Sequence, residues 1–312
     1  MYVSVILSTY NHPKWLHKVL TGYAAQTRRP DQILIADDGS TNETALLVDS
    51  FQRSVDIPVT HIWHSDSGFR KCVILNRAIE DAVGNYLIFS DGDCIPRDDF
   101  VATHCRLART KRFLSGGMLR LPSHVSQNIT DTNIVSGETF STRWLLRNGF
   151  RIERQLKLLS LIGRAAEFAD HVTSTRPTFN GHNASVWKDD ILRANGFDER
   201  MCYGGLDREL GERLENKGIR GFQIRHRAIC VHLHHARPYL DQTAIIRNQQ
   251  IRKETAATNA TRTNFGIQQA GDSNKATVLQ TRVGKSESTS VSQAIQHVVY
   301  AQQHIDDTSV NT

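Results

Sequence analysis

The sequence predicts an α/β fold with a mostly parallel central sheet. Four runs rich in Val, Ile and aromatic residues have the length of strands, and a helical pattern separates the first two of them. The runs are residues 2–7, 32–38, 59–64 and 85–91. Strands that alternate with helices form βαβ units, and the ligands of such sheets bind outside the carboxyl ends of the strands.

A helix is expected over residues 14–27, between the first two strands. Apolar side chains recur there at helical spacing: Trp15, Leu16, Val19, Leu20 and Tyr23. Pro13 suits the first turn of this helix, and Asn11 or His12 is placed to cap it.

Polar side chains follow three of the predicted strands. The segments are STYN (8–11), DDGS (37–40) and SDGD (90–93). Because the carboxyl ends of parallel strands meet at one edge, the four aspartates in these segments would repel each other unless they bound a cation or a ligand. Carboxylate oxygens suit Mn²⁺ or Mg²⁺, and such an ion suits a diphosphate. Surface turns are the alternative for a single Asp-Gly pair, but two pairs directly after buried strands favour a metal site.

The middle of the chain contains two further patterns. Residues 113–122 predict a strand with a Gly-Gly bend, and residues 141–168 are basic and amphipathic, with an interruption at Asn148 and Gly149. A segment of the second kind usually packs its apolar face on its own domain. Peripheral contact with the inner face of a membrane is the other interpretation, and it stays open.

A helix is also expected to begin at Leu206. Leu206, Leu210 and Leu214 recur every four residues, and Gly218 is placed to end the helix. Asp207 then falls in the first turn, where the helix N-terminus favours its anion. A role as a helix cap is the alternative for this residue.

Residues 228–238 predict one more strand, which contains three histidines. Alternation along an extended chain places His232 and His234 on one face. A histidine among carboxylates suits Mn²⁺ as a further ligand, although a lone strand histidine is more often a packed one.

The composition restricts the class of protein. The 312 residues are 39% hydrophobic and 22% charged, which is ordinary for a globular protein with a core. The net charge of +6 is compatible with anionic ligands, but no basic patch with interleaved aromatic residues indicates a nucleic-acid partner. Five cysteines without CxxC spacing favour a reduced, cytoplasmic compartment. No segment predicts a signal peptide or a membrane span.

Seven motifs, in this order, resemble bacterial family 2 glycosyltransferases of the GT-A fold. They are VSVILSTYN, ILIADDGS, SDSGFRKCVILNRAI, YLIFSDGDCIPRDDF, FNGHNASVWKDDILRANGFDE, YGGLDRELGERL and HLHH. The resemblance covers residues 1–266. It implies a nucleotide-sugar-binding half (1–110) and an acceptor-binding and catalytic half (111–266) of one domain, whereas the polar composition of residues 267–312 predicts a flexible tail with a short helix at 294–305.

The resemblance also implies an activity and its partners. A sugar would move, with inversion, from a nucleotide-diphosphate donor such as a UDP-sugar to a hydroxyl of a glycan or glycolipid acceptor. The reaction would depend on Mn²⁺ or Mg²⁺ and would serve the synthesis of a surface polysaccharide or lipopolysaccharide.

Individual residues receive roles from the matching motifs. Asp207 matches the catalytic base. The implied donor-binding residues are Ser8, Tyr10, Asp38, Arg70, Asn76 and Asp91. The implied metal ligands are Asp93, Asp91 and His232, and the implied acceptor-side residues are Asn180, Gly181, His182, Gly204 and Gly205.

One position departs from the family pattern. Leu206 stands where the family usually has an acid before the base, so the acceptor contacts credited to that acid are not carried over. Two alternatives of other classes stay open, namely a metal-dependent hydrolase of nucleotide sugars and a non-catalytic nucleotide-sugar-binding or assembly protein.

Overall fold

The computed structural model describes residues 1–151, 156–236, 241–269 and 278–279. Its strands are β1 (Val3–Thr9), β2 (Gln32–Asp37), β3 (Val59–Trp63), β4 (Tyr86–Asp91), β5 (Cys94–Pro96), β6 (Arg112–Ser115), β7 (Gly117–Arg120), β8 (Ala184–Trp187), β9 (Arg220–Gln223), β10 (Ile229–His232) and β11 (Val278–Leu279). Its α-helices are α1 (Pro13–Ala24), α2 (Asn42–Ser54), α3 (Lys71–Asp81), α4 (Phe100–Leu107), α5 (Ser123–Asn128), α6 (Asp131–Val135), α7 (Thr142–Arg147), α8 (Lys157–Ser160), α9 (Gly163–Val172), α10 (Lys188–Ala194), α11 (Leu206–Asn216) and α12 (Gln242–Ala257). Single 3₁₀ turns lie at Glu138–Phe140 and Ile267–Gln269.

The main sheet has the strand order β11-β3-β2-β1-β4-β8-β6-β9. Strands β3, β2, β1 and β4 are parallel, and β9 is parallel to β6, whereas β8 runs antiparallel to both β4 and β6. The predicted α/β class with a mostly parallel sheet is therefore confirmed. A smaller sheet, β5-β10-β7, lies beside it.

The central strands are buried on both faces, as parallel strands covered by helices are. Alternate residues enter two different cores: Val5 and Ile33 pack with α1 and α2, while Ile6 and Leu34 pack with α3. The period-2 alternation of side chains thus separates two apolar layers that flank the sheet.

The predicted strand over 113–122 is two strands in two different sheets. Strand β6 belongs to the main sheet and β7 to the smaller one, and they meet at Gly116. A Cβ on Gly116 would lie 1.9 Å from the side-chain oxygen of Asn183, so only glycine fits this crossing point.

The basic segment 141–168 is not one helix. It forms α7, α8 and the start of α9, and residues 152–155 lie outside the described part. Leu145, Phe150 and Leu156 are buried in the core, so the first part of this segment packs on its own domain. In the described residues, no helix is both long and apolar enough to cross a membrane.

The folded body extends beyond the predicted boundary at residue 266. Ile267 is 8% exposed in the second core, and its N–H donates to the Asn195 carbonyl at 3.1 Å. Residues 278–279 pair with β3. The rest of the predicted tail, with its expected helix at 294–305, lies outside the described residues.

Candidate active site

The polar segments that follow β1, β2 and β4 meet at one edge of the main sheet. The register places Ser8 beside Asp91 and Thr9 beside Asp37. The Ser8 hydroxyl donates to Oδ1 of Asp91 at 2.6 Å, and the Gly92 N–H donates to the Ser8 carbonyl at 2.7 Å. The convergence that the sequence predicts is therefore confirmed.

Lys71 neutralises the first acid of the SDGD segment. Its ammonium Nζ lies 2.7 Å from Oδ1 of Asp91. Burial alone would raise the pKa of Asp91, but the Lys71 charge and the hydrogen bonds from Lys71 and Ser8 hold this pKa well below its usual range. Burial in turn would lower the pKa of Lys71, yet the negative charges of Asp91 and Asp207 raise it.

Sequence reasoning missed Lys71, although a topological signal for it exists. Lys71 is the first residue of α3, the helix that connects β3 to β4. In a parallel βαβ arrangement, the helix that connects two strands begins at the edge of the sheet formed by the carboxyl-terminal ends of the strands. A lysine at that position is therefore directed toward the acids at the strand ends.

The side chain of Asp38 binds the backbone at the residue that precedes α3. Its Oδ1 lies 2.8 Å from Nε2 of His64, and its Oδ2 accepts the N–H of Arg70 at 3.0 Å. Tyr10 lies farther out, because it is 41% exposed and its hydroxyl donates to Asp66 at 2.8 Å. One side of the strand ends is thus lined by Asp38, Arg70 and Tyr10. The sequence analysis does not select His64, the partner of Asp38.

The second acid of the SDGD segment faces two histidines. Strand pairing sets His232 opposite Cys94, and Nε2 of His232 lies 3.6 Å from Oδ2 of Asp93. Nε2 of His235 is closer to the same oxygen, at 2.8 Å. Burial would raise the pKa of Asp93, but the hydrogen bond from His235 and the nearby His232 lower it below its usual value.

The expectation that His232 and His234 share a face is not met. Strand β10 ends at His232, so alternation does not continue, and His234 is exposed. His235, which the sequence analysis did not select, takes its place beside Asp93.

The donor set around Asp93 fits a divalent cation. One ligand atom from each of Asp93, Cys94 and His232 lies within 4.8 Å of the others. Carboxylate oxygen and imidazole nitrogen together suit Mn²⁺. Asp91, the other predicted ligand, is outside this group in the described residues, and its Oδ1 is bonded to Ser8 and Lys71.

Asp207 lies in the first turn of α11, as predicted. Burial raises its pKa to about 6, even though Lys71 and the Gly181 N–H lower it. Its Oδ1 is buried and has no hydrogen-bond partner among the described residues. A buried carboxylate oxygen without a donor is costly, and it indicates a group that is meant to meet a ligand.

Asn248 of α12 holds the glycine turn that precedes Asp207 through hydrogen bonds. Gly204 and Gly205 have φ of +106° and +87°, values that side chains disfavour. The Asn248 amide group donates to the carbonyls of Cys202, Tyr203 and Gly204 at 2.9, 3.1 and 2.9 Å. This clasp fixes the direction in which α11 begins.

The predicted acceptor-side loop lies between Asp207 and the metal-side group. A Cβ on Gly181 would lie 2.7 Å from Oδ1 of Asp207. His182 interacts electrostatically with Asp91, Asp93 and His232, and burial lowers its pKa to about 4. The Asn180 side chain shapes the loop, because its Oδ1 accepts the N–H of Asn183 at 2.9 Å.

Two positions named in the sequence analysis point elsewhere. The Asn76 side chain is fully buried, and it bonds to the backbone of Phe197 and to the Glu199 carboxylate. Its contacts hold the 197–199 loop, so the structure does not bring it to the strand ends as a donor-binding residue. Leu206 is 5% exposed and packs in the second core, which accounts for an apolar residue at this position.

Comparisons with known proteins agree on one family. The profile described as "Glycosyl transferase family 2" matches residues 4–160, half of the chain. The chain is 24% identical to chondroitin synthase of Escherichia coli over 238 residues, which are 69% of this chain and 32% of that protein. It therefore spans about a third of the length of this relative.

Two solved structures share the fold. One is a mannosyltransferase from Pyrobaculum calidifontis in complex with GDP-Man and Mn²⁺, with a TM-score of 0.51 and 19% identity over 88% of this chain and 65% of that one. The other is residues 1–349 of TarS from S. aureus in complex with UDP-GlcNAc, with a TM-score of 0.53 and 14% identity over 86% of this chain and 69% of that one.

Proposed function

On the premise that this chain belongs to glycosyl transferase family 2 and has the GT-A fold, we propose that it transfers a sugar from a UDP-sugar to an acceptor hydroxyl with inversion. The observation that carries the proposal is the buried, unpartnered carboxylate oxygen of Asp207, which lies near the Lys71–Asp91 pair. Mn²⁺ or Mg²⁺ is the proposed cofactor, and a surface polysaccharide or lipopolysaccharide is the proposed product.

The donor would bind along the strand ends. Ser8, Tyr10, Asp38 and Arg70 form the side nearest β1 and β2, where the nucleoside is proposed to lie. Asp93 and His232, with Asp91 beside them, would hold the divalent ion. When bound, this ion supplies Lewis-acid stabilisation of the diphosphate leaving group. Asp91 stays ionised beside this site because the positive charge of Lys71 favours the carboxylate form.

Asp207 is the proposed general base. It takes the proton of the acceptor hydroxyl while the acceptor oxygen forms a bond to the anomeric carbon, and the bond from that carbon to the diphosphate oxygen breaks. Since attack and departure occur on opposite faces of the sugar, a single displacement inverts the anomeric configuration. The protein supplies proximity and charge, and Gly181 leaves the room beside Oδ1 that an acceptor hydroxyl needs.

The test is a product analysis with and without an acceptor. The chain is incubated with Mn²⁺ and a panel of UDP-sugars and GDP-mannose, with a mixture of oligosaccharide and lipid-linked acceptors added to one arm. We expect nucleotide diphosphate and a new glycoside only when both substrates are present. Equal release of free sugar in both arms would instead identify a hydrolase, and no turnover of any donor would favour a binding protein.

The decline of kcat/KM at acidic pH, the acidic limb of the pH profile, should follow the protonation of Asp207. Its pKa is about 6, so protonation below that pH removes the base, and kcat/KM should fall about tenfold for each further pH unit. Lys71→Met removes a charge that lowers this pKa, and it should move the limb to higher pH. The measurement is kcat/KM against pH for the wild type and Lys71→Met, with the exposed Lys111→Met as the control. An identical limb in all three proteins would contradict the assignment.

Contact with an anionic membrane surface is the proposed way of reaching a lipid-linked acceptor. Helix α9 is anchored by Asp170, which is bonded to His226 and Arg227, so its opposite face turns outward. That face and its N-cap expose Ile162 and Phe168, at 77% and 68%. Arg164, on the same helix, is exposed as well. Exposed apolar side chains with a cationic neighbour suit a bilayer of anionic lipids.

Vesicle binding should therefore depend on α9. In co-sedimentation with vesicles that contain anionic phosphatidylserine, we expect Phe168→Ser combined with Ile162→Ser to reduce the bound fraction several-fold. The matched control is Val83→Ser, which replaces another exposed apolar side chain, 67% accessible, on a different surface. Binding that is equal in both variants would rule out α9 as the contact.

A further inference from the structure

His235 is fixed in place beside the carboxylate of Asp93. Its ring is stacked on that of His232 with the centroids 5.3 Å apart and an angle of 23° between the planes. The ring of His12 is a second neighbour, with its centroid 5.4 Å away and its plane tilted by 55°, and only 7% of the His235 side chain is exposed. The two neighbouring rings and this burial restrict the directions in which the His235 nitrogens can point.

The contacts of His235 direct its Nε2 toward the carboxylate of Asp93. Its Nδ1 lies 2.7 Å from the Ala236 carbonyl oxygen, and a carbonyl only accepts, so Nδ1 carries a hydrogen. Nε2 is therefore the ring nitrogen that faces Asp93, and it lies 2.8 Å from Oδ2 of that carboxylate.

The spacing also matches a pair of metal ligands. Two ligand atoms that share one divalent ion, with bonds to imidazole nitrogen and carboxylate oxygen of about 2.0–2.2 Å, lie about 3 Å apart. The 2.8 Å between Nε2 of His235 and Oδ2 of Asp93 is close to that value. The approach of His232 to the same oxygen, at 3.6 Å, brings a second imidazole to the group.

We propose that His235 is a ligand of the divalent ion held by Asp93 and His232, and that it determines which metal the protein selects. The proposal rests on the metal site of the proposed function. Two imidazole nitrogens beside one carboxylate favour Mn²⁺ and Co²⁺ over Mg²⁺, which prefers oxygen ligands. The site would therefore discriminate against Mg²⁺ in solutions where Mg²⁺ is in large excess.

The test is isothermal titration calorimetry of the full chain with Mn²⁺, Co²⁺ or Mg²⁺ alone, without nucleotide or acceptor. We expect His235→Ala to weaken the binding of Mn²⁺ and Co²⁺ about 10-fold or more and to change Mg²⁺ binding little. His235→Gln replaces the nitrogen with an oxygen donor, so it should narrow the preference for Co²⁺ over Mg²⁺. The matched control is His234→Ala, because His234 is the exposed neighbour in the same segment.

Unchanged or tighter Mn²⁺ binding by His235→Ala would overturn the proposal, since His235 would then be a bystander or a competitor of the ion. Failure of the wild type to bind Mn²⁺ or Co²⁺ would overturn it as well. Thermal unfolding without metal identifies a variant that fails to fold, in which case His235→Gln decides. Sugar transfer is measured separately, so selective metal binding without transfer would contradict only the proposed function, and transfer without the metal effect only this inference.

Discussion

Replacing Asp207 with Asn is expected to reduce sugar transfer about 10²- to 10⁴-fold, because an amide cannot accept the proton of the acceptor hydroxyl. The shape of the side chain is kept, and the residues on the donor side are not altered. The folded state should not be weakened. The pKa of Asp207 is raised from 3.8 to about 6, so the buried anion lowers the free energy of unfolding as pH rises through that window. At pH 7, the neutral Asn avoids this cost.

The experiment measures kcat and KM for transfer, together with the affinity for the donor nucleotide. Asp189→Asn is the matched control, because Asp189 is also an acid in the first turn of a helix, α10, but its side chain is 78% exposed. We expect the loss in kcat for Asp207→Asn alone, with donor affinity unchanged. Full activity of Asp207→Asn would remove it from the role of base.

Asp93→Ala is expected to abolish the stabilisation of the protein by a nucleoside diphosphate in the presence of Mn²⁺. A ligand at 100 times its Kd stabilises the folded state by about 2.7 kcal/mol. In a domain of this size, that corresponds to a rise in Tm of roughly 4–5 °C. Without Asp93, the cluster keeps His232 but loses its carboxylate, so the ion and the diphosphate it would neutralise are held weakly.

The measurement is a thermal-shift series with UDP and GDP, each with Mn²⁺ or with a chelator. Asp98→Ala is the control, because it removes an exposed aspartate five residues along the same segment. A shift in the wild type and Asp98→Ala that disappears with chelator and in Asp93→Ala is the expected pattern. A shift that persists in Asp93→Ala would contradict the metal site.

The sequence predicts those features of the fold that depend on the order of strands and helices along the chain. The alternation of strands and helices predicts the parallel core, and the position of polar residues after β1, β2 and β4 predicts that Ser8, Asp38 and Asp91 meet at one edge. Asp207 at the start of α11 follows from the leucine repeat and the glycine that ends the helix. These inferences need only residues that are close in sequence.

Pairings between distant segments were not predicted, since local pattern does not determine them. Strand β10 pairs with β5 and β7 in a separate sheet, and this pairing sets Cys94 opposite His232. The end of β10 at His232 then allows the chain to turn, so that His235 and not His234 faces Asp93. Asn76 differs from these cases: the matching motif implies a donor-binding role for it, whereas its amide bonds to the carbonyl of Phe197, 121 residues away.

The hydrogen bonds of Asn248 imply that donor binding and proton removal in the proposed reaction can be altered separately. Lys71 and the acids that follow the strands are positioned by the parallel sheet, whereas the backbone before Asp207 is held by one amide from α12. A perturbation that shifts α12 would therefore misdirect the base while the donor side stays intact. We therefore expect α12 to influence turnover independently of donor affinity.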